Sequence, residues 1–305
     1  MQKPRVLLAF GYKGNQTKMP DKKFFRSAVS PFLEKHVRQE GGRAVVVHAL
    51  NTADLFDFSE EQKRAAVLSL NIRRGDFDPE LEDLRSHQMK QVIDIMTDAF
   101  TQIESRLNVR MASTMDMGKA MDGFKRDWGF HGTILSINQE RPGAVRNILE
   151  PQTFESACLY WELEATKSRA KEHLLDSDAI DLMLKYIRST GKLLAERDFS
   201  TVARIKAISG REPDTAFVVP RGFMHRGMIM YFEDDFELDV KQAVLGGGIP
   251  TQFMQAVIGS YTGHMSSREL LLTATNVVAA HREMEHSRIE FENLVNTWGL
   301  PIGEA

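Results

Sequence analysis

A histidine that follows a buried strand and a Gly-containing turn is the strongest candidate for chemistry in this sequence. The strand is predicted at residues 216–220, and the turn after it contains Gly222 and His225. In open α/β sheets, ligands bind at the carboxyl ends of strands, and an imidazole there can act as a general base or bind a metal. The alternative interpretation is a histidine that is only hydrogen-bonded within a loop.

Charged residues on both sides of that strand are the next candidates. Arg197 and Asp198 are predicted to open a helix that precedes the strand. We expect Arg197 to point toward the histidine turn, where its planar guanidinium suits a carboxylate or an oxyanion. Asp198 is expected to cap the helix or orient the arginine rather than act as a base. Arg221 and Arg226 flank His225 and could receive an anionic group.

The elements that must position these residues begin with a strand–helix–strand unit. Apolar runs at residues 6–10 and 44–48 are separated by helical periodicity at residues 22–39, which is typical of a parallel βαβ unit. We therefore predict that the strands ending at Phe10, His48 and Pro220 are neighbours in one sheet. Asn15, His48 and His225 are then expected at the same edge of that sheet.

The rest of the chain is predicted to be mainly helical. Apolar periodicity indicates helices at residues 84–107, 154–175, 180–194, 199–208 and 251–298, and a strand or a loop at residues 129–138. Shorter apolar pieces occur at residues 228–232 and 236–240. The predicted fold is a three-layer α/β domain over residues 1–305, with a largely parallel sheet, a mainly helical insertion at about 50–194 and a helical C-terminal third.

Composition excludes several classes of protein. The formal net charge of −3 gives no basic field for nucleic acid, and no apolar run reaches the length of a membrane span. The one cysteine, Cys158, excludes an intramolecular disulfide and a cysteine zinc cluster and favours the cytoplasm. P-loop, HExxH and GxSxG motifs are absent from the sequence. The expected partner is a small-molecule or peptide substrate, and oligomerisation stays open.

Arg197, Asp198, Gly222 and His225 carry a resemblance to a known group of enzymes. A helix with Arg-Asp, then a strand, then a Gly-x-x-His turn resembles the second conserved block of the erythromycin-esterase-like and TraB/TIKI proteins. The resemblance covers the first fifty or so residues and the region from about 196 to 240. It implies a hydrolase that activates water with a general base or a divalent metal.

The first block of those families is similar here in its frame but not in its polar residues. Tyr12 occupies the position of an expected glutamate, Asn15 that of a histidine, and His48 that of a strand-ending acid. Asn15 cannot act as a base, and Tyr12, with an ordinary pKa near ~10, is a poor one. His48 and His225 could still bind a divalent metal between adjacent strand ends. The alternative is a degenerate relative that serves as a binding or scaffold protein.

Overall fold

A parallel sheet lies at the centre of the computed structural model. The model describes residues 3–11, 20–49, 129–151, 153–173, 176–232, 234–243 and 252–284, with a few short pieces between 59 and 105. Within these ranges the strands form one five-stranded sheet in the order β3-β2-β4-β1-β5, and every pair is parallel. The strands are β1 (Arg5–Gly11), β2 (Arg43–His48), β3 (Val145–Leu149), β4 (Thr215–Gly222) and β5 (Glu237–Gln242).

The inner strands are apolar because helices cover both faces of the sheet. Val6 to Phe10 in β1 and Val45 to Val47 in β2 have no exposed surface, as expected for a parallel sheet that is buried on two sides. The edge strand β5 instead exposes charged residues such as Glu237 and Lys241, which discourages pairing with another chain. These two layers of helix around a sheet confirm the predicted three-layer α/β fold.

The helices divide between the two faces. On one face lie α1 (Pro20–Leu33), its π-helical continuation (Glu34–Gln39) and α2 (His131–Glu140). On the other face lie the long helix α4 (Ala179–Ser209) and a 3₁₀ helix (Phe223–Tyr231). Helices α3 (Phe154–Glu172), α5 (Gln252–Thr262) and α6 (Ser267–Met284) pack around α4 in a separate apolar cluster.

The predicted neighbour relation of three strands is confirmed. Strand β4 lies between β1 and β2, with Ala9 opposite Pro220 and Val46 opposite Val218. The carboxyl ends of the three strands therefore meet at one edge. Residues that pair across parallel strands point to the same face of the sheet, and successive residues of one strand point to opposite faces. Side chains at this edge can therefore lie on either face.

Two predictions in the middle of the chain were wrong. Residues 129–138, expected as a strand or loop, contribute to α2, which buries Ile134 and Ile137 against the sheet. Its glycine-rich start obscured the helical spacing, since glycine disfavours a helix. Strand β3 was not predicted, because Arg146 and Asn147 interrupt its apolar run. It adds a strand of the central sheet inside the region expected to be a helical insertion.

Arg197 and Asp198 do not begin a helix, contrary to the prediction. Both lie inside α4, which runs without a break for 31 residues. The residues between its two apolar segments, Ala195 to Arg197, are strong helix formers, so nothing in the sequence stops the helix there. In the C-terminal third, expected to be dominated by helix, the described residues form α5 and α6, which are separated near Gly263 with its φ of 74°.

None of the helices in the described ranges combines the length and the apolar character that a membrane span requires.

Candidate functional site

An aspartate–histidine pair lies at the carboxyl edge of the sheet, on the α4 face. His225 comes from the 3₁₀ helix that follows β4, and Asp198 comes from α4. His225 Nδ1 is 2.5 Å from Asp198 Oδ1. Asp198 is fully buried, whereas His225 keeps 8% of its surface exposed. A buried carboxylate therefore orients an imidazole that reaches the surface.

Glu150 and two arginines form an ionic network on the same face. Glu150 directly follows β3 and receives Arg197 Nε at 3.0 Å on Oε1, with Arg197 Nη2 also bonded to that oxygen. Arg221 Nη2 lies 3.1 Å from Glu150 Oε2. Arg221 also donates to the Thr201 hydroxyl and to the carbonyl of Val47. Charges from β3, β4 and α4 are thus joined around one carboxylate.

The surroundings shift the pKa values of Glu150 and Asp198 in opposite directions. Burial acts to raise the pKa of Glu150, but the charges of Arg197 and Arg221 outweigh it and hold that pKa below its ordinary value. Burial raises the pKa of Asp198 well above its ordinary value, although Arg221 and Arg197 oppose the rise. Neighbouring titratable groups with divergent pKa values are typical of acid–base sites, and also occur in structural ion networks.

His48 lies at the same edge but on the opposite face. Its Nε2 is 3.0 Å from Asn147 Oδ1, and its ring is 6.4 Å from Phe130 and 6.2 Å from His131, measured between centroids. Burial lowers the pKa of His48 to about 3. His48 and His225 therefore belong to different environments, which corrects the expectation that they bind one metal. Among the described residues there is no group of three or more His, Cys, Asp or Glu side chains placed to hold a metal ion.

Some of the other predicted site residues lie close together and some are not described. Asp198 contacts His225, and Arg197 and Arg221 both contact Glu150. Among the described residues, the structure gives Arg197 no contact with the histidine turn itself, so its expected direction stays a prediction. Gly222 ends β4 with a φ of −65°, and no described atom lies within 4 Å of a Cβ built there, so its backbone does not require glycine. Tyr12 and Asn15 lie outside the described residues.

Glu150 and Tyr261 were missed by the sequence analysis. Glu150 occupies the position after a strand, a signal that was lost because β3 itself was not predicted. Tyr261, on α5, lies 3.3 Å from Asp198 Oδ2 through its hydroxyl. Nothing in the local sequence marks Tyr261, because its contacts are with residues far away along the chain.

No protein-family model, curated protein or solved structure matches this chain.

The solvent side of the site is partly apolar. Next to Asp198 along α4, Phe199 is 58% exposed, and Met230 of the 3₁₀ helix is 52% exposed. The Phe199 ring meets Tyr231 edge-on, with centroids 5.9 Å apart. The Arg197 side chain keeps 17% of its surface exposed, while Glu150 and Arg221 are buried.

A separate cavity of about 470 Å³ lies between α1 and β5, and none of the residues of the ionic network lines it.

Proposed function

We propose that this protein is a hydrolase that uses His225 as a general base and Asp198 as the group that orients it. The observation that carries the proposal is the 2.5 Å contact between His225 Nδ1 and the fully buried carboxylate of Asp198. A carboxylate on one ring nitrogen fixes the tautomer and leaves proton transfer to the other nitrogen. The pair lies at the carboxyl ends of parallel strands, where open α/β sheets bind ligands.

Proton transfer in this scheme uses His225 Nε2. With Asp198 ionised, Nδ1 carries the proton that faces the carboxylate and Nε2 has a lone pair for a proton from water. The water oxygen then attacks the carbonyl carbon of the substrate and forms a tetrahedral intermediate. As that intermediate collapses, the bond between the carbonyl carbon and the leaving oxygen or nitrogen breaks, and the protonated imidazole gives its proton to that atom, releasing a carboxylic acid and an alcohol or amine. Asp198 stabilises the imidazolium that exists between these two steps.

The charges of the network favour an uncharged substrate. Arg197 and Arg221 are both engaged by Glu150, so the site offers little net positive charge for a phosphate or another strong anion. Phe199, next to Asp198 in α4, and Met230, in the same 3₁₀ helix as His225, are exposed apolar side chains. An ester or amide with an apolar substituent fits this combination best, and Arg197 can stabilise the oxyanion that develops on its carbonyl oxygen.

The resemblance to the erythromycin-esterase-like and TraB/TIKI proteins supports the same reaction class. Of the four residues that carry it, Asp198 and His225 are in direct contact, and Arg197 is bonded to Glu150 on the same face of the sheet. The proposed reaction needs no metal shared by His48 and His225, because these two side chains lie on opposite faces of the sheet.

A binding or scaffold protein is the second candidate. It is favoured by the internal pairing of the site, in which the acidic and basic side chains of the network satisfy one another and little surface is exposed. Ionic networks of this kind also occur as purely structural features.

Turnover of a panel of uncharged aryl esters and anilides by wild type and His225→Ala tests the proposal. Removal of a positioned general base lowers kcat by about 10²–10⁴-fold, so we expect that loss in His225→Ala with the circular dichroism spectrum unchanged. His264→Ala is the matched control, since His264 is exposed on the loop after α5, and it should keep wild-type rates. Full activity in His225→Ala contradicts the proposal, and absence of turnover in wild type across the panel favours the binding protein.

A further inference from the structure

The hydroxyl of Tyr261 contacts both sides of the turn that carries His225. It lies 2.9 Å from the carbonyl oxygen of Met224, to which it can donate, and it accepts the backbone N–H of Gly227 at 3.0 Å. Met224 and Gly227 flank His225 in the 3₁₀ helix. A single oxygen atom of α5 thus fixes the backbone that holds the imidazole.

The same oxygen also reaches the carboxylate that orients the imidazole. Tyr261 Oη is 3.3 Å from Asp198 Oδ2, while Asp198 Oδ1 is the atom that contacts His225. A hydroxyl has one proton, so it donates either to Asp198 or to Met224 at any moment. Ionisation of Asp198 favours the first of these, because a hydrogen bond to a charged acceptor is stronger than one to a carbonyl.

The sequence leaves room for this contact at Gly227. A Cβ atom placed on Gly227 would lie 2.3 Å from both the hydroxyl oxygen and a ring carbon of Tyr261. Any side chain at this position must therefore displace the Tyr261 ring. Gly227 provides a way to disturb the contact without changing an atom of Tyr261, Asp198 or His225.

We propose that Tyr261 is a positioning residue that fixes the His225 turn and stabilises the ionised form of Asp198, so that the imidazole becomes a base at lower pH. This inference rests on the proposed function insofar as the Asp198–His225 pair is catalytic. Burial raises the pKa of the Tyr261 phenol above its ordinary value, which keeps the hydroxyl a neutral donor across the physiological range.

Several charged or titratable groups influence Asp198 from the elements packed against it. They are Glu150 after β3, Arg197 on α4, Arg221 on β4, His225 and Tyr231 on the 3₁₀ helix, and Tyr261 on α5. Tyr261→Phe removes the hydroxyl, which is a donor and also the acceptor of the Gly227 N–H, and leaves every formal charge in place. A change in titration can then be assigned to the hydroxyl.

The first readout needs no substrate. The ¹⁵N ring signals of His225, assigned by comparison with His225→Gln, are followed against pH in full-length wild type, Tyr261→Phe and Gly227→Ala. A lost hydrogen bond to an ionised carboxylate makes deprotonation of the pair harder, so its midpoint should rise by about one pH unit in both variants. Tyr186→Phe is the control, since Tyr186 is buried and stacks on Phe253 of α5 without belonging to the network, and its curve should overlay that of wild type.

Kinetics supply the second readout and separate the two proposals. In an active protein, Tyr261→Phe should lower kcat several-fold, leave KM unchanged and move the acid limb of the pH profile upward by the same one unit. If wild type shows no turnover but the His225 midpoint of Tyr261→Phe lies above that of wild type, the proposed function fails and the role of Tyr261 stands. A Tyr261→Phe titration identical to wild type overturns that role, whatever the activity. If Gly227→Ala does not fold, the Tyr261→Phe curve alone decides.

Discussion

The proton balance of Asp198 and His225 decides when His225 can accept a proton from water. When the Asp198 carboxyl group is protonated and faces Nδ1, the ring carries its hydrogen on Nε2, so Nε2 has no free lone pair. The buried environment raises the pKa of Asp198, so the folded protein retains this proton to higher pH than a solvated aspartate would. The base form, and with it the proposed activity, should be absent at low pH and appear as pH rises.

Asp198→Asn tests this dependence at the level of a single atom. The amide N–H of the asparagine can donate to Nδ1, which favours the tautomer with its hydrogen on Nε2, so we expect kcat/KM to fall by about 10²–10⁴-fold. The profile of kcat/KM between pH 5 and pH 9 provides the measurement. A wild-type profile without an acid limb, or an Asp198→Asn variant with wild-type rates, would remove Asp198 from the mechanism.

His48 gives a prediction about stability rather than activity. Its pKa falls from 6.5 to about 3 on folding because the ring is fully buried. The folded state therefore binds fewer protons than the unfolded chain, so this contribution is present above pH 6.5 and is lost as pH falls toward 3. At pH 5 the loss amounts to about 2 kcal/mol.

Urea unfolding of wild type and His48→Gln at pH 7.5 and pH 5.0 measures that contribution. The decrease in the free energy of unfolding between the two pH values should be about 2 kcal/mol smaller in His48→Gln, whatever its absolute stability. The exposed His264, replaced by Gln, should leave the wild-type decrease intact. Equal decreases in wild type and His48→Gln would show that His48 titrates normally in the folded protein.

At the scale of elements, one ionic network of Glu150 with Arg221 and Arg197 joins the end of β3 to β4 and α4. Arg221 and Glu150 are almost completely buried, and Glu150→Gln would deprive Arg221 and Arg197 of their shared carboxylate. We expect the free energy of unfolding to fall by about 3–5 kcal/mol. The double variant Glu150→Met/Arg221→Met removes both of the fully buried charges and leaves only the partly exposed Arg197. It should recover much of that loss, since replacement of a whole buried pair by apolar groups is often neutral.

The matched control for this pair is also on β3. Arg146 pairs with Glu212 at 2.7 Å, but both side chains are well exposed, so Arg146→Met should cost less than about 1 kcal/mol. Denaturant titrations of the four proteins give the comparison. If the double variant is no more stable than Glu150→Gln, the loss comes from the missing ion pair and not from a buried arginine left without its carboxylate.

The elements that the sequence predicts are those whose burial leaves a clear apolar pattern. Strands β1, β2 and β4 are continuous apolar runs, because both of their faces pack against helices. Strand β3 carries polar residues along its length, and α4 has no breaker where its two segments meet. His225, Arg197 and Asp198 were found from their relation to β4, whereas Glu150 depended on β3 and Tyr261 on packing between distant helices.

At the scale of the whole molecule, the C-terminal helices belong to the same folded unit as the site. Phe253 of α5 is 4% exposed and stacks on Tyr186 of α4 with ring centroids 5.6 Å apart. Helix α4 continues from this cluster to the sheet, where Val202 and Ile205 pack against the strands. Loss of packing among the helices should therefore destabilise the sheet as well.

Phe253→Ala measures that coupling. Deleting a buried phenylalanine ring lowers the free energy of unfolding by about 3–5 kcal/mol, and far-ultraviolet circular dichroism and tryptophan fluorescence should report one shared transition. Leu272→Ala, at an exposed position of α6, should stay within about 0.5 kcal/mol of wild type. Two separate transitions in Phe253→Ala would show that the helical cluster unfolds on its own.

The position of β1 between β4 and β5 has a consequence for synthesis of the protein. Val6 pairs with Phe217, about 210 residues later in the chain, and both neighbours of β1 come from that late part. At translation rates of about 5–20 residues per second, β1 waits roughly 10–40 seconds for its partners to leave the ribosome. During that interval one of the most apolar segments of the chain has no native strand to pair with, and a nascent chain of this kind is a natural client for chaperones that bind extended hydrophobic segments.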